Sequence, residues 1–188
     1  MKVFYTTSLR RVSEDRELLQ HIYSTIERLG YTNLDTVLFN ISNEKQFYSG
    51  SRADRLTHFD RMVDCITKAD VIVLEVSLHS LSLGFILHKS LILNKPVIAL
   101  YAQKRVPFFI QGVRNKKLQV LEYRPENLDE VVEEALSRAK NVADTRFDFF
   151  ISAEIGSYLD MISRERRISR AAYVRGLIEN DMQKQGKT

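Results

Sequence analysis

Cysteine, proline and glycine are all scarce here, and each shortage removes a class of protein. The chain of 188 residues has one Cys, three Pro, seven Gly and no Trp. A single thiol, Cys65, excludes a disulfide framework and any zinc site built on paired cysteines. So little Pro and Gly excludes collagen-like, linker-rich and disordered classes. Neither sign of charge dominates: 28 Lys and Arg stand against 24 Asp and Glu, a net +4. That surplus suits a solvated surface and falls below that of a nucleic-acid-binding arm. Long apolar runs are missing as well. The most apolar stretch, Ser77 to Tyr101, is broken by His88, Lys89 and Lys95, so no membrane span is expected. Met1–Thr7 holds no apolar core of signal-peptide length. A cytoplasmic protein without membrane contact is the expectation. His21, His58, His79 and His88 show no ligand spacing, and neither a metal nor a cofactor is expected.

What is present is alternation. Lys2–Tyr5, Thr36–Phe39, Asp70–Val76, Pro96–Tyr101 and Leu118–Tyr123 read as strands. The run Val71, Ile72, Val73, Leu74 is continuous, as in a strand buried on both faces. Between the strands lie helical patterns. Ser13 is read as an N-cap, with Glu14 and Asp15 in the first turn. Leu18, Leu19, Ile22, Ile26 and Leu29 follow as one stripe, closed by Gly30. Further helices carry Leu56, Phe59, Val63 and Ile66, then Gly84 to Leu93, then Leu128, Val131, Val132, Ala135 and Leu136. This order predicts an α/β fold: a flavodoxin-like five-stranded parallel sheet with helices on both faces. Ligands in such sheets bind at the carboxyl ends of the strands.

The pattern changes near residue 142, giving two expected domains, 1–141 and 142–188. Arg146–Ser152 reads as a short strand with Phe147, Phe149 and Ile151 on one face. Two helices follow, the second capped by Ser169. So small a segment cannot enclose its own core and is expected to pair with a second copy or dock on the first domain.

The first domain resembles the nucleoside 2-deoxyribosyltransferase superfamily, in particular its 2′-deoxynucleoside 5′-monophosphate N-glycosidase branch. The likeness rests on Phe4–Arg10 with Glu14-Asp15-Arg16, on Asp54–His58, on Ala69–Ser77, on Ser80–Phe85 and on Asn94–Val97. It implies a carboxylate nucleophile two residues after the second glycine of the family's turn. That position is Ile86 here, and the family's supporting Asp falls on Met62. By the family's mechanism the chain then has no catalytic residue. Glu75 and Asp64 are the fallback carboxylates. The same resemblance implies a nucleotide phosphate site at Ser8, Arg10 and Ser80. The C-terminal segment resembles ribbon-helix-helix repressors. That likeness implies dimerisation and offers Arg146, Asp148, Phe150, Ser169 and Arg170 as DNA-binding candidates.

The leading expectation is a non-catalytic homodimeric regulator or sensor, with a degenerate nucleotide-binding domain and a tail that dimerises and contacts DNA. A nucleotide N-glycosidase using a relocated carboxylate is one alternative, and a pure protein-assembly module is the other. An acidic group from elsewhere in the chain, beside a sugar-sized cavity, would overturn the inert reading.

Overall fold

A strand buried from end to end must sit inside a sheet, and the first strand does. In the computed structural model of the chain, which describes residues 1–35, 38, 50–102, 104–142 and 149–186, β1 spans Lys2–Thr7 and is buried from Val3 onward. It is joined by β2 (Thr32–Asn33), β3 (Val71–Glu75), β4 (Val97–Ala102) and β5 (Leu118–Tyr123). All pair in parallel, in the order β2-β1-β3-β4-β5. The expected α/β architecture is therefore the one found. The winding direction reverses between β1 and β3, which opens a crevice at their carboxyl ends. The register Thr6↔Leu74 and Thr7↔Glu75 carries both strands to that edge together.

Parallel strands need crossovers, and helices supply them. These are α1 (Leu9–Glu14), α2 (Arg16–Arg28), α3 (Arg52–Lys68), α4 (Leu81–Ile92), the one-turn α5 (Phe108–Gln111) and α6 (Leu128–Val142). The two-residue period of a strand divides their cores. Val3, Tyr5, Val71 and Val73 meet Leu19, Ile22 and Ile26 of α2 and Val132 and Leu136 of α6. Phe4, Ile72 and Leu74 meet Met62 and Ile66 of α3 and Leu83 and Ile86 of α4. Gly30 ends α2 at φ 81°, a value that glycine takes without a Cβ clash, and its N–H bonds the Glu27 carbonyl at 2.9 Å.

Two expectations need correction. The strand beside β1 is Thr32–Asn33, not Thr36–Phe39, of which Thr36, Val37 and Phe39 lie outside the described residues. The polar Thr-Asn pair gives no hydrophobic run to read, and pairing with β1 outweighs intrinsic strand preference. Ser13 is not an N-cap either. It lies within α1, and the caps are Ser8, accepting from the Arg11 N–H at 3.2 Å, and Asp15, accepting from the Leu18 N–H at 3.4 Å.

The chain divides into two compact units, Met1–Asp144 and Thr145–Thr188. The second holds α7 (Ala153–Arg166) and α8 (Arg170–Lys184), capped by Ser152 and Ser169. Of the strand expected at Arg146–Ser152, Arg146, Phe147 and Asp148 lie outside the described residues, and Phe149–Ser152 has no strand pairing. A ribbon-helix-helix arrangement is therefore not established. Among the described residues no helix is long and apolar enough to cross a membrane.

Asp129 in the first turn of α6 ties that helix to α2. It accepts from Thr25 Oγ1 at 2.6 Å and Arg28 Nη2 at 2.7 Å, and meets His21 Nε2 at 2.8 Å. The Thr25 hydroxyl, with His21 and Arg28, draws its carboxyl down to about 2. The ionised form is favoured in the fold, so its stabilisation is present above the ordinary carboxylate range and fades as pH falls toward 2. Urea midpoints should thus drop across that window in wild type and stay flatter in Asp129→Asn.

Candidate active site

The carboxyl edge of β1, the segment after β2, and helices α3 and α4 enclose a cleft of about 560 Å³. Its walls are largely hydrocarbon: Leu9, Leu38, Met62, Leu81, Leu83 and Ile86. Phe59 and Phe85 add an aromatic pair with ring centroids 5.6 Å apart. Polar groups are few and specific: Thr6, Thr7 and Ser8 from β1 and its loop, Ser80 and Ser82 at the start of α4, and Arg55, His58 and Arg61 on α3. One acidic side chain, Asp35, stands among the described lining residues. Asp35 is buried, and its Oδ1 lies 3.6 Å from Nη2 of Arg61. Burial pushes the His58 imidazole below its ordinary value, Arg61 adds to the effect, and Asp35 opposes it. His58 therefore favours its neutral form near pH 7. Such a cleft, apolar with convergent polar groups, suits a small organic ligand.

Ile86 and Met62, the positions where the resemblance implies carboxylates, both line this cleft. Their chemistry is as the sequence reads: hydrocarbon, with no charge to offer. Asp64 is elsewhere on α3, exposed, in an ion pair with Lys68 at 2.7 Å. Asp35 was missed for a structural reason. With β2 placed at Thr36–Phe39, residue 35 precedes the strand and points at nothing. With β2 at Thr32–Asn33 it follows the strand, at the carboxyl edge where ligands bind. The usable signal was the Gly30 stop, which frees Tyr31 onward to pair with β1; the Leu34 N–H continues that pairing to the Val3 carbonyl at 2.8 Å.

Glu75 has a different place. It falls in register with Val71 and Val73 on the α2–α6 side of β3, wholly buried, and does not line the cleft. Its carboxylate accepts from Thr7 Oγ1 at 3.1 Å, from Tyr123 OH at 3.0 Å and from Ser77 Oγ, and faces Arg11 Nε at 3.5 Å. Burial first, and then Glu75, pushes the Tyr123 phenol up to about 12 and the Tyr5 phenol well above its usual value. A carboxylate so enclosed cannot reach a ligand in the cleft, so Glu75 is an anchor and not an attacking group.

The phosphate candidates divide. Ser8 and Ser80 both line the cleft. Ser8 also caps α1, whereas the Ser80 side chain makes no cap bond. Arg10 is not with them, because its Nη2 donates to the His79 carbonyl at 2.7 Å. Arg55 and Arg61 are the arginines that line the cleft, Arg55 with Nη1 on the Gly50 carbonyl at 2.6 Å. In the second unit Ser169 Oγ caps α8, Arg170 pairs with Asp160, and Phe150 is fully exposed. Arg146 and Asp148 lie outside the described residues. Among the described residues no acidic, His or Cys cluster has the make-up of a metal site.

Fold and cleft together define a flavodoxin-like α/β protein with a small-molecule site at the carboxyl edge of its sheet. Comparison with known proteins narrows the class. No family model matches the chain. A 5-hydroxymethyl-dUMP N-hydrolase of Danio rerio is 28% identical over 138 residues, 71% of this chain and 94% of that protein. One of Mus musculus is 27% identical over 131 residues, 68% of this chain and 75% of its own length. A putative 2′-deoxynucleoside 5′-phosphate N-hydrolase 1 of Nematostella vectensis is 27% identical over 135 residues, 70% of this chain and 90% of that protein. These relatives support the deoxyribosyltransferase-like family. They also overturn the expectation of a non-catalytic regulator, since the proteins that this chain is similar to are named as hydrolases.

Removing Glu75 takes away the buried acidic partner of Arg11 and leaves it with the more exposed Glu14 and Asp15. Glu75→Ala should cost about 3–5 kcal/mol in urea unfolding, with Glu75→Gln losing less because it keeps an acceptor.

Proposed function

We propose that the first unit hydrolyses the N-glycosidic bond of a 2′-deoxynucleoside 5′-monophosphate, freeing the base. The observation that carries this reading is a carboxylate, Asp35, inside a cleft that also presents neutral hydroxyls and a cation. Cleavage of a glycosidic bond builds positive charge at the anomeric carbon, and a negative group in a water-poor site is what stabilises it. The Ser8 and Ser80 hydroxyls and the Arg55 guanidinium supply donors for a phosphate. Phe59 and Phe85 offer ring faces for a base to lie against. The names of the relatives point to the same bond and the same class of substrate.

Purified protein incubated with a panel of deoxynucleoside monophosphates, 5-hydroxymethyl-dUMP included, should release free base detectable by chromatography. Arg55→Met should raise KM by about 10- to 100-fold through the lost phosphate contact, leaving kcat nearer to wild type. Absence of base release from every nucleotide in the panel would remove the reading.

A separate observation favours self-association of the second unit. Among its described residues Leu159 and Ile162 are the buried hydrophobic ones, while Phe149, Phe150, Ile155, Tyr158, Leu177 and Ile178 are exposed. Two side chains do not make a core, so a second copy covering this surface is the arrangement that we propose. Light scattering should give twice the chain mass for wild type and a shift toward the single-chain mass for Leu177→Asp with Ile178→Asp.

A further inference from the structure

Resting on the hydrolase reading, we infer that Asp35, carried on the edge of the sheet, is the catalytic nucleophile, in place of a carboxylate on α3 or α4. The inference comes from the charge inventory of the cleft. Among its described lining residues the charged or titratable side chains are Asp35, Arg55, His58 and Arg61. Two of these are cations and one is an imidazole that favours neutrality. Every other described lining residue is a hydroxyl, a hydrocarbon or an aromatic ring. Among these described residues, Asp35 is the anionic side chain that can meet an incipient oxocarbenium ion.

The surroundings suit that task. Asp35 is 4% exposed, so its field acts through a medium of low polarity and is stronger than in water. Arg61 Nη2 sits 3.6 Å from its Oδ1, beyond hydrogen-bond length, and the buried Nε and Nη2 of that guanidinium make no hydrogen bond to protein. The arginine thus faces the carboxylate as a charge, at a distance beyond a hydrogen bond. Met62 and Ile86 stand on α3 and α4 as apolar walls of the same space.

The chemistry needs only water as co-reactant. In the first step an Asp35 carboxylate oxygen forms a bond to C1′ as the C1′–N bond breaks. The electron pair leaves on the base, which takes a proton from water and leaves hydroxide. In the second step a water molecule attacks C1′, the C1′–Oδ bond breaks, and hydroxide takes the spare proton. The products are free base and 2-deoxyribose 5-phosphate, and the carboxylate is restored. Two displacements at one carbon return the sugar to its original configuration.

The test uses the full chain and the nucleotide most rapidly cleaved by wild type. Asp35→Asn should lower kcat by about a thousandfold or more while KM changes by only a few fold. Asp64→Asn, on an exposed part of α3, should match wild type. Circular dichroism and urea midpoints check that Asp35→Asn is folded. If that variant does not fold, product stereochemistry in wild type decides instead. With methanol added, a covalent glycosyl intermediate gives the β-methyl glycoside, whereas direct attack by solvent gives the α form. An active wild type with Asp35→Asn within tenfold of it, or with only α product, overturns the assignment and leaves the hydrolase reading standing. No base release by wild type removes both.

Discussion

The carboxyl edge of the sheet is organised by one buried anion. Glu75 receives hydrogen bonds from Thr7 on β1, Ser77 beyond β3 and Tyr123 on β5, and it faces Arg11 of α1. Ser77 passes the connection on, accepting from the Ala102 N–H at the end of β4 at 2.7 Å. Four strand ends and one helix are thereby fixed to a single side chain. Burying a carboxylate is costly unless its lone pairs are satisfied and a cation stands near. Here both conditions hold. Burial opposes the charge of Arg11, but Tyr123 and Glu75 outweigh it and keep the guanidinium ionised even more firmly than usual. Thr7 is the link to function, because it belongs to the Glu75 network and also lines the cleft.

The period of a strand explains why two acids so near in the fold have separate duties. Side chains on β3 alternate between faces, so Glu75 goes with Val71 and Val73 toward α2 and α6. Ile72 and Leu74 go toward α3 and α4, on whose side the cleft opens. A negative charge for the cleft cannot come from Glu75 without turning the strand over. It comes instead from the end of β2, the neighbour of β1 on its other side. Hydrocarbon at Ile86 and Met62 is then compatible with glycosidic chemistry in the same cavity.

Much of this was legible in the residues. The continuous apolar run of β3 and the apolar stripe of α2 gave strand and helix because burial dictates both patterns. The alternation of elements gave the parallel sheet and the edge where a ligand sits. Ser8 and Ser80, which follow β1 and β3 in the chain, both line the cleft at that edge. Arg10 does not, and nothing in a linear chain shows that it will bond the His79 carbonyl. Asp35 was not legible, since a two-residue strand of Thr and Asn has no hydrophobic signature and the stronger run four residues later drew the assignment. The role of the whole chain went astray with it, because an empty nucleophile position was weighed without the acid that stands in the cleft.

Asp35 sits beside the weakest pairing in the sheet, for β2 meets β1 over only Lys2↔Thr32 and Val3↔Asn33. An edge contact so brief opens by local fraying at far lower cost than the buried centre of the sheet. Heat or mild denaturant will therefore detach that segment, and Asp35 with it, while β1, β3 and β4 remain intact. The brevity of that contact also separates two duties: a substitution at this margin would alter the charge of the pocket while leaving the framework that folds it in place.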